Sequence, residues 1–170
     1  MLKKRSLATI AVALVISSIS QIGVAQAATR PTLAQKLQLQ YLVEEEKLAR
    51  DVYAYLAANV TSMKFANIAR SEQTHMDLIA GVLKTYNYYN PTLVRKAGVF
   101  RDASLQSLYN DLISKGKVGI IEAFQVGMAI ETLDIKDIEL MLDDTMPADM
   151  KYALDRLLAG SKNHLAAFTY

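Results

Sequence analysis

From Leu33 to Ala58 apolar residues recur at three- and four-residue steps with few helix breakers, which predicts one long helix. Asn59 to Ser62 is long enough only to reverse the chain, so a second helix, about Met63 to Tyr86, is expected to run antiparallel to the first. Its inward stripe reads Phe65, Ile68, Glu72, His75, Ile79, Val82 or Leu83, and Tyr86. Asn87 to Arg101 reads as a loop, with Asn90-Pro91 and Gly98 as breakers, and Asp102 can cap a short helix that ends at Gly116. A helix from about Val118 to Leu142 follows, with Ile121, Phe124, Met128, Glu131, Asp134 or Ile135, Ile138 and Leu142 on one face. The short turn Asp143 to Met146 leads to a last helix that opens at Pro147 and runs nearly to Tyr170.

The fold class that follows is all-α. Connections that are short, then long, then short describe two antiparallel helix pairs joined by a crossover carrying one extra short helix, a ferritin-like four-helix bundle rather than a simple up-and-down one. The isolated glycines Gly81, Gly119, Gly127 and Gly160 each cost their helix about 1 kcal/mol relative to alanine, and tight helix contacts account for them.

The polar residues on the apolar faces change the picture. Glu72 and His75 lie three apart, hence one turn apart on one helix face, where a carboxylate and an imidazole can reach the same ion. Glu46, the pair Glu131 and Asp134, and His164 stand on the inward faces of the other three long helices. An ionised carboxylate in an apolar core costs several kcal/mol unless something positive offsets it. Arg50, one turn past Glu46, is the cation placed to pair with it, whereas Arg70 and Lys162 flank the stripes. Two divalent ions would neutralise four carboxylates, and two neutral imidazoles would complete a di-iron donor set. The run Glu44-Glu45-Glu46 reads as one inward and two outward carboxylates, with Glu45 the rival to Glu46 as ligand. Asp134 could instead cap a bend or face water, and His164 could simply donate to a backbone carbonyl.

The first residues read as an export signal: Lys3, Lys4 and Arg5, an apolar run from Leu7 to Ile22, and Ala25-Gln26-Ala27 as the cleavage site. Domain boundaries are therefore expected at 1–27 for a cleaved leader and 28–170 for the mature domain. Removing the three leader cations from 19 basic residues leaves 16 against 17 acidic ones, net −1, so no basic stripe points to nucleic acid. The mature chain is expected to be secreted or periplasmic and to lack a membrane span. Cysteine is absent, which excludes disulfides, thiolate chemistry and Cys-ligated metal.

The segment EKLARDVYAYL, Glu46 to Leu56, followed by FANIARSEQTH, resembles the first half of the rubrerythrin-type, ferritin-like di-iron family. With GVF at Gly98 and GSKNHLAAF from Gly160 to Phe168, the whole mature chain resembles a secreted ferritin-like branch catalogued as a domain of unknown function. The resemblance implies Glu46, Glu72, His75, Glu131, Asp134 and His164 as metal ligands, with Arg50 and Tyr53 tuning the site. It implies two iron ions, with manganese, zinc or a single metal as alternatives. The implied chemistry is reduction of peroxide or dioxygen, or oxidation of Fe(II), with electrons from an external donor. The other reading is a non-catalytic extracytoplasmic metal-binding or interaction module, and homodimerisation is left open. The chain departs from the family where a Glu-x-x-His is expected in the last helix, since Ser161 precedes His164. Asp134 could restore the lost charge.

Overall fold

The computed structural model describes residues 30–142 and 144–169, and five helices account for most of them: α1 (Leu33–Asn59), α2 (Met63–Thr85), α3 (Ala103–Gly116), α4 (Ile120–Leu142) and α5 (Ala148–Thr169). The class is all-α, and the expected leader lies outside the described residues. Helix starts follow local capping chemistry. Thr32 and Gln35 form a reciprocal capping box at α1, Ser62 accepts from the Lys64 N–H at α2, and the Asp102 carboxylate accepts from Ser104 and Leu105 N–H groups at α3. Pro147 sits just before α5, where its carbonyl accepts from the Lys151 N–H, one residue earlier than the sequence suggests.

The helices pack as α1 on α2 and α4 on α5, with α2 also meeting α5, α1 meeting α4, and α3 laid across α1 and α4. Contacts at the ends fix the directions. The Lys64 ammonium at the start of α2 donates to the Ala167 carbonyl at the end of α5, and the Tyr86 hydroxyl just past α2 donates to Asp149 at the start of α5, so these two helices are antiparallel.

The core is layered. One apolar cluster gathers Val52, Tyr53, Leu56, Phe65, Val126 and Phe168, and another gathers Leu39, Leu42, Ile79, Leu83, Ile138 and Leu154. In α1, α2, α4 and α5 alike, the buried polar residues Glu46, Glu72, His75, Glu131, Asp134, Ser161 and His164 lie in sequence between the residues of those clusters. Helical periodicity carries an apolar stripe into each layer and one polar turn between them, so the polar turns meet at mid-height.

Two sequence expectations are corrected here. The inward stripe of α4 opens with Ala123, Val126, Gly127 and Ile130, while Ile121 is 67% exposed. Small residues win because Phe168 lies against Gly127 so closely that a Cβ there would sit 2.6 Å from its ring. Glu44 and Glu45 do not face water: both are buried, as is Glu46.

The crossover is tied to α1. Lys47, only 1% exposed, donates to Asp51 one turn on and to the Lys96 carbonyl at 2.9 Å, and its ammonium stands 4.4 Å from the centre of the Phe100 ring. Asp51 also accepts from the Gly98 N–H at 2.9 Å, and Glu44 accepts from the Arg101 N–H. Gly98 has φ +71°, and a side chain there would run into Tyr109, so glycine is required by both backbone and space.

Candidate metal centre

Each of the four long helices contributes to one buried cluster. From α2, Glu72 and His75 stand one turn apart, with His75 Nδ1 2.8 Å from Glu72 Oε2. The same Nδ1 lies 3.2 Å from Glu46 Oε2 of α1. His164 of α5 places Nδ1 2.8 Å from Glu72 Oε1 and 3.5 Å from Glu131 Oε2 of α4. The two imidazole rings stack with centroids 5.4 Å apart. One ligand atom each from Glu72, His75 and His164 falls within 4.8 Å of the others, the spread of donors around a metal ion.

Around this cluster, other groups fix orientation. The Tyr53 hydroxyl, fully buried on α1, donates to Glu131 Oε1 at 2.6 Å. Ser161 donates to Asp134 Oδ2 and to the Leu157 carbonyl. His164 Nε2 is 2.9 Å from Ser71 Oγ, which leaves Nδ1 turned to the carboxylates. Asp134 therefore faces inward along an unbroken α4 and neither caps a bend nor meets water. His164 meets side chains, not a backbone carbonyl.

Arg50 goes elsewhere. Its guanidinium binds Asp51 Oδ1 and Gln73 Oε1, at 2.7 and 2.6 Å, instead of Glu46. Asp51 already lies beside it and offers a charged acceptor to the fork of the guanidinium, which draws the side chain off the stripe that carries Glu46. Glu45 is buried on a neighbouring stripe with Asp137 and Asp134, and it borders the cluster from the α3 side.

The electrostatics are those of acids short of cations. Burial pushes the Glu46 carboxyl well up, helped by Asp134 and Glu72. Burial likewise carries Glu131 up to about 8, Asp134 to about 6, and Glu45, next to Asp137, to about 9. Burial also works against ionised Glu72, but contact with His164 and His75 overrides it and holds this carboxyl down at about 2. Burial opposes a charged His164, yet Glu131 and Glu72 outweigh it and raise its pKa to about 10. One ionised carboxylate balanced by imidazolium, with its neighbours held neutral, is how such a set satisfies itself from its own protons. It does so incompletely. Glu45 Oε1, Glu46 Oε1 and Asp134 Oδ1 are buried with no hydrogen-bond partner among the described residues, and Glu72 Oε1 and His164 Nδ1 meet each other at 2.8 Å as an ion pair without hydrogen-bond geometry. Buried polar atoms are nearly always partnered, and here two carboxylate oxygens of this cluster, Glu46 Oε1 and Asp134 Oδ1, are not.

The model of the uncharacterized protein domain DUF2202 matches residues 35–170. The chain belongs to this family. It is 43% identical over 125 residues to the uncharacterized protein MJ0754 of Methanocaldococcus jannaschii, spanning 74% of this chain and 68% of that one. The crystal structure of hypothetical protein MJ0754 superposes with a TM-score of 0.80 at 40% identity, covering 83% of this chain and 81% of the other.

The matched region of this DUF2202 chain contains every residue of the cluster. An apolar cavity of about 50 Å³ adjoins the carboxylates, walled by Leu48, Ala49, Ile130 and the α3 residues Leu105 and Leu112, with Glu45, Glu72, Glu131 and Asp134 at its edge. The tight helix contact expected at Gly160 is present, but sequence reasoning did not connect it to the cluster. A Cβ there would sit 2.3 Å from His75 Nε2, so the glycine makes room for the imidazole. Its signal was a helix-interior glycine four residues before His164. Ser71, next to Glu72, and the buried cation Lys47 gave no signal distinct from surface residues.

Proposed function

We propose that this chain is an exported, ferritin-like four-helix bundle holding a carboxylate-bridged dinuclear metal centre, with iron the foremost candidate. Its proposed activity is reduction of peroxide or dioxygen, or oxidation of Fe(II). The observation that carries this reading is a buried layer in which Glu72, His75 and His164 bring donor atoms within 4.8 Å of one another while the buried carboxylate oxygens Glu46 Oε1 and Asp134 Oδ1 lack a hydrogen-bond partner among the described residues. Carboxylate oxygen and imidazole nitrogen suit iron, manganese or zinc, so the residues fit such a group. Glu46, Glu72, His75, Glu131, Asp134 and His164 would hold it. Bound iron would supply the electron transfer and Lewis acidity that these side chains lack.

The remaining roles belong to the chain. Tyr53 fixes Glu131 and keeps a phenolic proton at the site. Ser161 fixes Asp134, which supplies from α4 the carboxylate that the family pattern puts on α5. The largely apolar walls of the cavity keep the surroundings of the carboxylates low in polarity. Because the chain has no cysteine, reducing electrons would come from a separate donor.

A second reading, a non-catalytic extracytoplasmic module holding manganese or zinc, is favoured by the hydroxyl at Ser161 in place of a carboxylate. Elemental analysis of chain purified without chelator separates the two. About two iron or manganese ions per chain, lost on Glu72→Ala, followed by oxidant-dependent turnover with Fe(II), supports the first. Retained zinc without turnover supports the second. No metal after anaerobic Fe(II) reconstitution overturns both.

A further inference from the structure

α3 covers the seam between α1 and α4 beside Leu48 and Ala49, but toward the start of α1 the seam opens into a pocket of about 310 Å³. Glu45 lines both this pocket and the inner cavity beside the cluster. It is only 7% exposed, and its Oε1 has no hydrogen-bond partner among the described residues. Gln38, two turns earlier on the same face of α1, lines the pocket too, and its Oε1 is likewise buried and unpartnered. From α4, Asp137 brings its carboxyl against that of Glu45 and has no ion pair among the described residues. Tyr41 also lines the pocket, but its hydroxyl meets Ser104. No basic side chain is among the lining residues. Three side-chain oxygen donors therefore converge, two of them acidic, with no protein cation between them.

A buried oxygen left without a donor is costly, and an amide oxygen and a carboxylate oxygen cannot satisfy each other. A cation satisfies all three donors at once. Two carboxylates match a divalent charge, and oxygen-only donors beside an open pocket with room for water suit a hard ion such as Mn(II). We propose that Glu45, Asp137 and Gln38 form an outer site for a hard divalent cation, separate from the central cluster. The site does not rest on the metal reading of that cluster, because it uses other side chains and oxygen donors only.

The test uses the whole mature chain, metal-free and zinc-loaded with excess zinc removed. Each form is titrated with Mn(II), followed by the electron paramagnetic resonance of the free ion and by paramagnetic broadening in NMR. The expected result is saturable Mn(II) binding that broadens the Gln38 side-chain amide and weakens about tenfold or more in Asp137→Asn and in Glu45→Gln, both of which keep side-chain shape. Asp137→Asn should leave the zinc content unchanged. Asp155→Asn, which alters an exposed pair with Lys151, should leave Mn(II) binding unchanged. Mn(II) that spares the Gln38 amide in both forms, or binds there equally well in Asp137→Asn, overturns the proposal. Failure of the metal reading would show instead as absent zinc, while broadening at Gln38 in the metal-free chain still decides the outer site.

Discussion

A methyl group on residue 160 would fall 2.3 Å from Nε2 of His75, so α5 can lie against that imidazole only because position 160 has no side chain. Gly160→Ala should gain about 1 kcal/mol of helix propensity and lose about 1–3 kcal/mol to overpacking, for a net loss of stability and of metal retention. Gly81→Ala is the control. Its Cβ would meet nothing within 4 Å, so it should stabilise α2 by up to about 1 kcal/mol. Paired urea titrations check both, and a stabilised Gly160→Ala would contradict the packing argument.

Tyr53→Phe should cost about 1–3 kcal/mol, since it strips the hydrogen bond from Glu131 Oε1 in a fully buried setting. The aromatic packing against Phe65 and Phe168 survives the change. Chemical denaturation gives the cost, and an unchanged midpoint would mean that water or Glu131 itself makes good the loss.

Lys47→Met should destabilise by roughly 3 kcal/mol, the lower end for breaking a buried ion pair, because Arg50 and the Gly98 N–H still hold Asp51. Hydrogen exchange should rise first at Gly98 and its neighbours. Equal loosening of α5 would show that the tie is not local to the crossover.

The metal-free chain should lose stability as pH rises from about 5 toward 9. Glu131 and Asp134 hold their protons up to about 8 and 6 when folded but release them near the ordinary 4.5 and 3.8 when unfolded, so the folded state is the more protonated one in that window. His164 adds the same sign, its stabilisation being complete below 6.5 and lost as pH rises to about 10. Glu72 acts oppositely, losing its contribution as pH falls from 4.5 toward 2. Metal must displace those protons, so the stability gained on adding metal should grow with pH. Thermal melts across pH, with and without Fe(II) or Zn(II), test it, and a metal-free chain that strengthens from pH 5 to 9 would refute it.

Much of this was legible because period and burial agree. The helix limits, the capping by Asp102 and the inward aim of Glu72 and His75 all follow from residues whose spacing admits one answer. The errors arose where neighbours decide. Ile121 is apolar but exposed, whereas Gly127 is buried because Phe168 needs its space. Arg50 turned to Asp51 because adjacent charge outbids a carboxylate one turn away. The acid run at Glu44 read as solvated since its partners, Arg101 and Asp137, are far off in sequence and only the crossover and α4 bring them near.

That run also fixes how α1 is set about its own axis. Glu44 and, farther along, Lys47 and Asp51 grip the crossover on one side, while Glu46 and Tyr53 reach the polar layer on another. The helix is thus a spindle pinned from two directions. Turning it by a single residue, as an insertion between Glu46 and Lys47 would, throws one side out of phase whichever the other keeps. Insertions in this stretch should therefore be rejected even where the residue added is polar, small and helix-favouring.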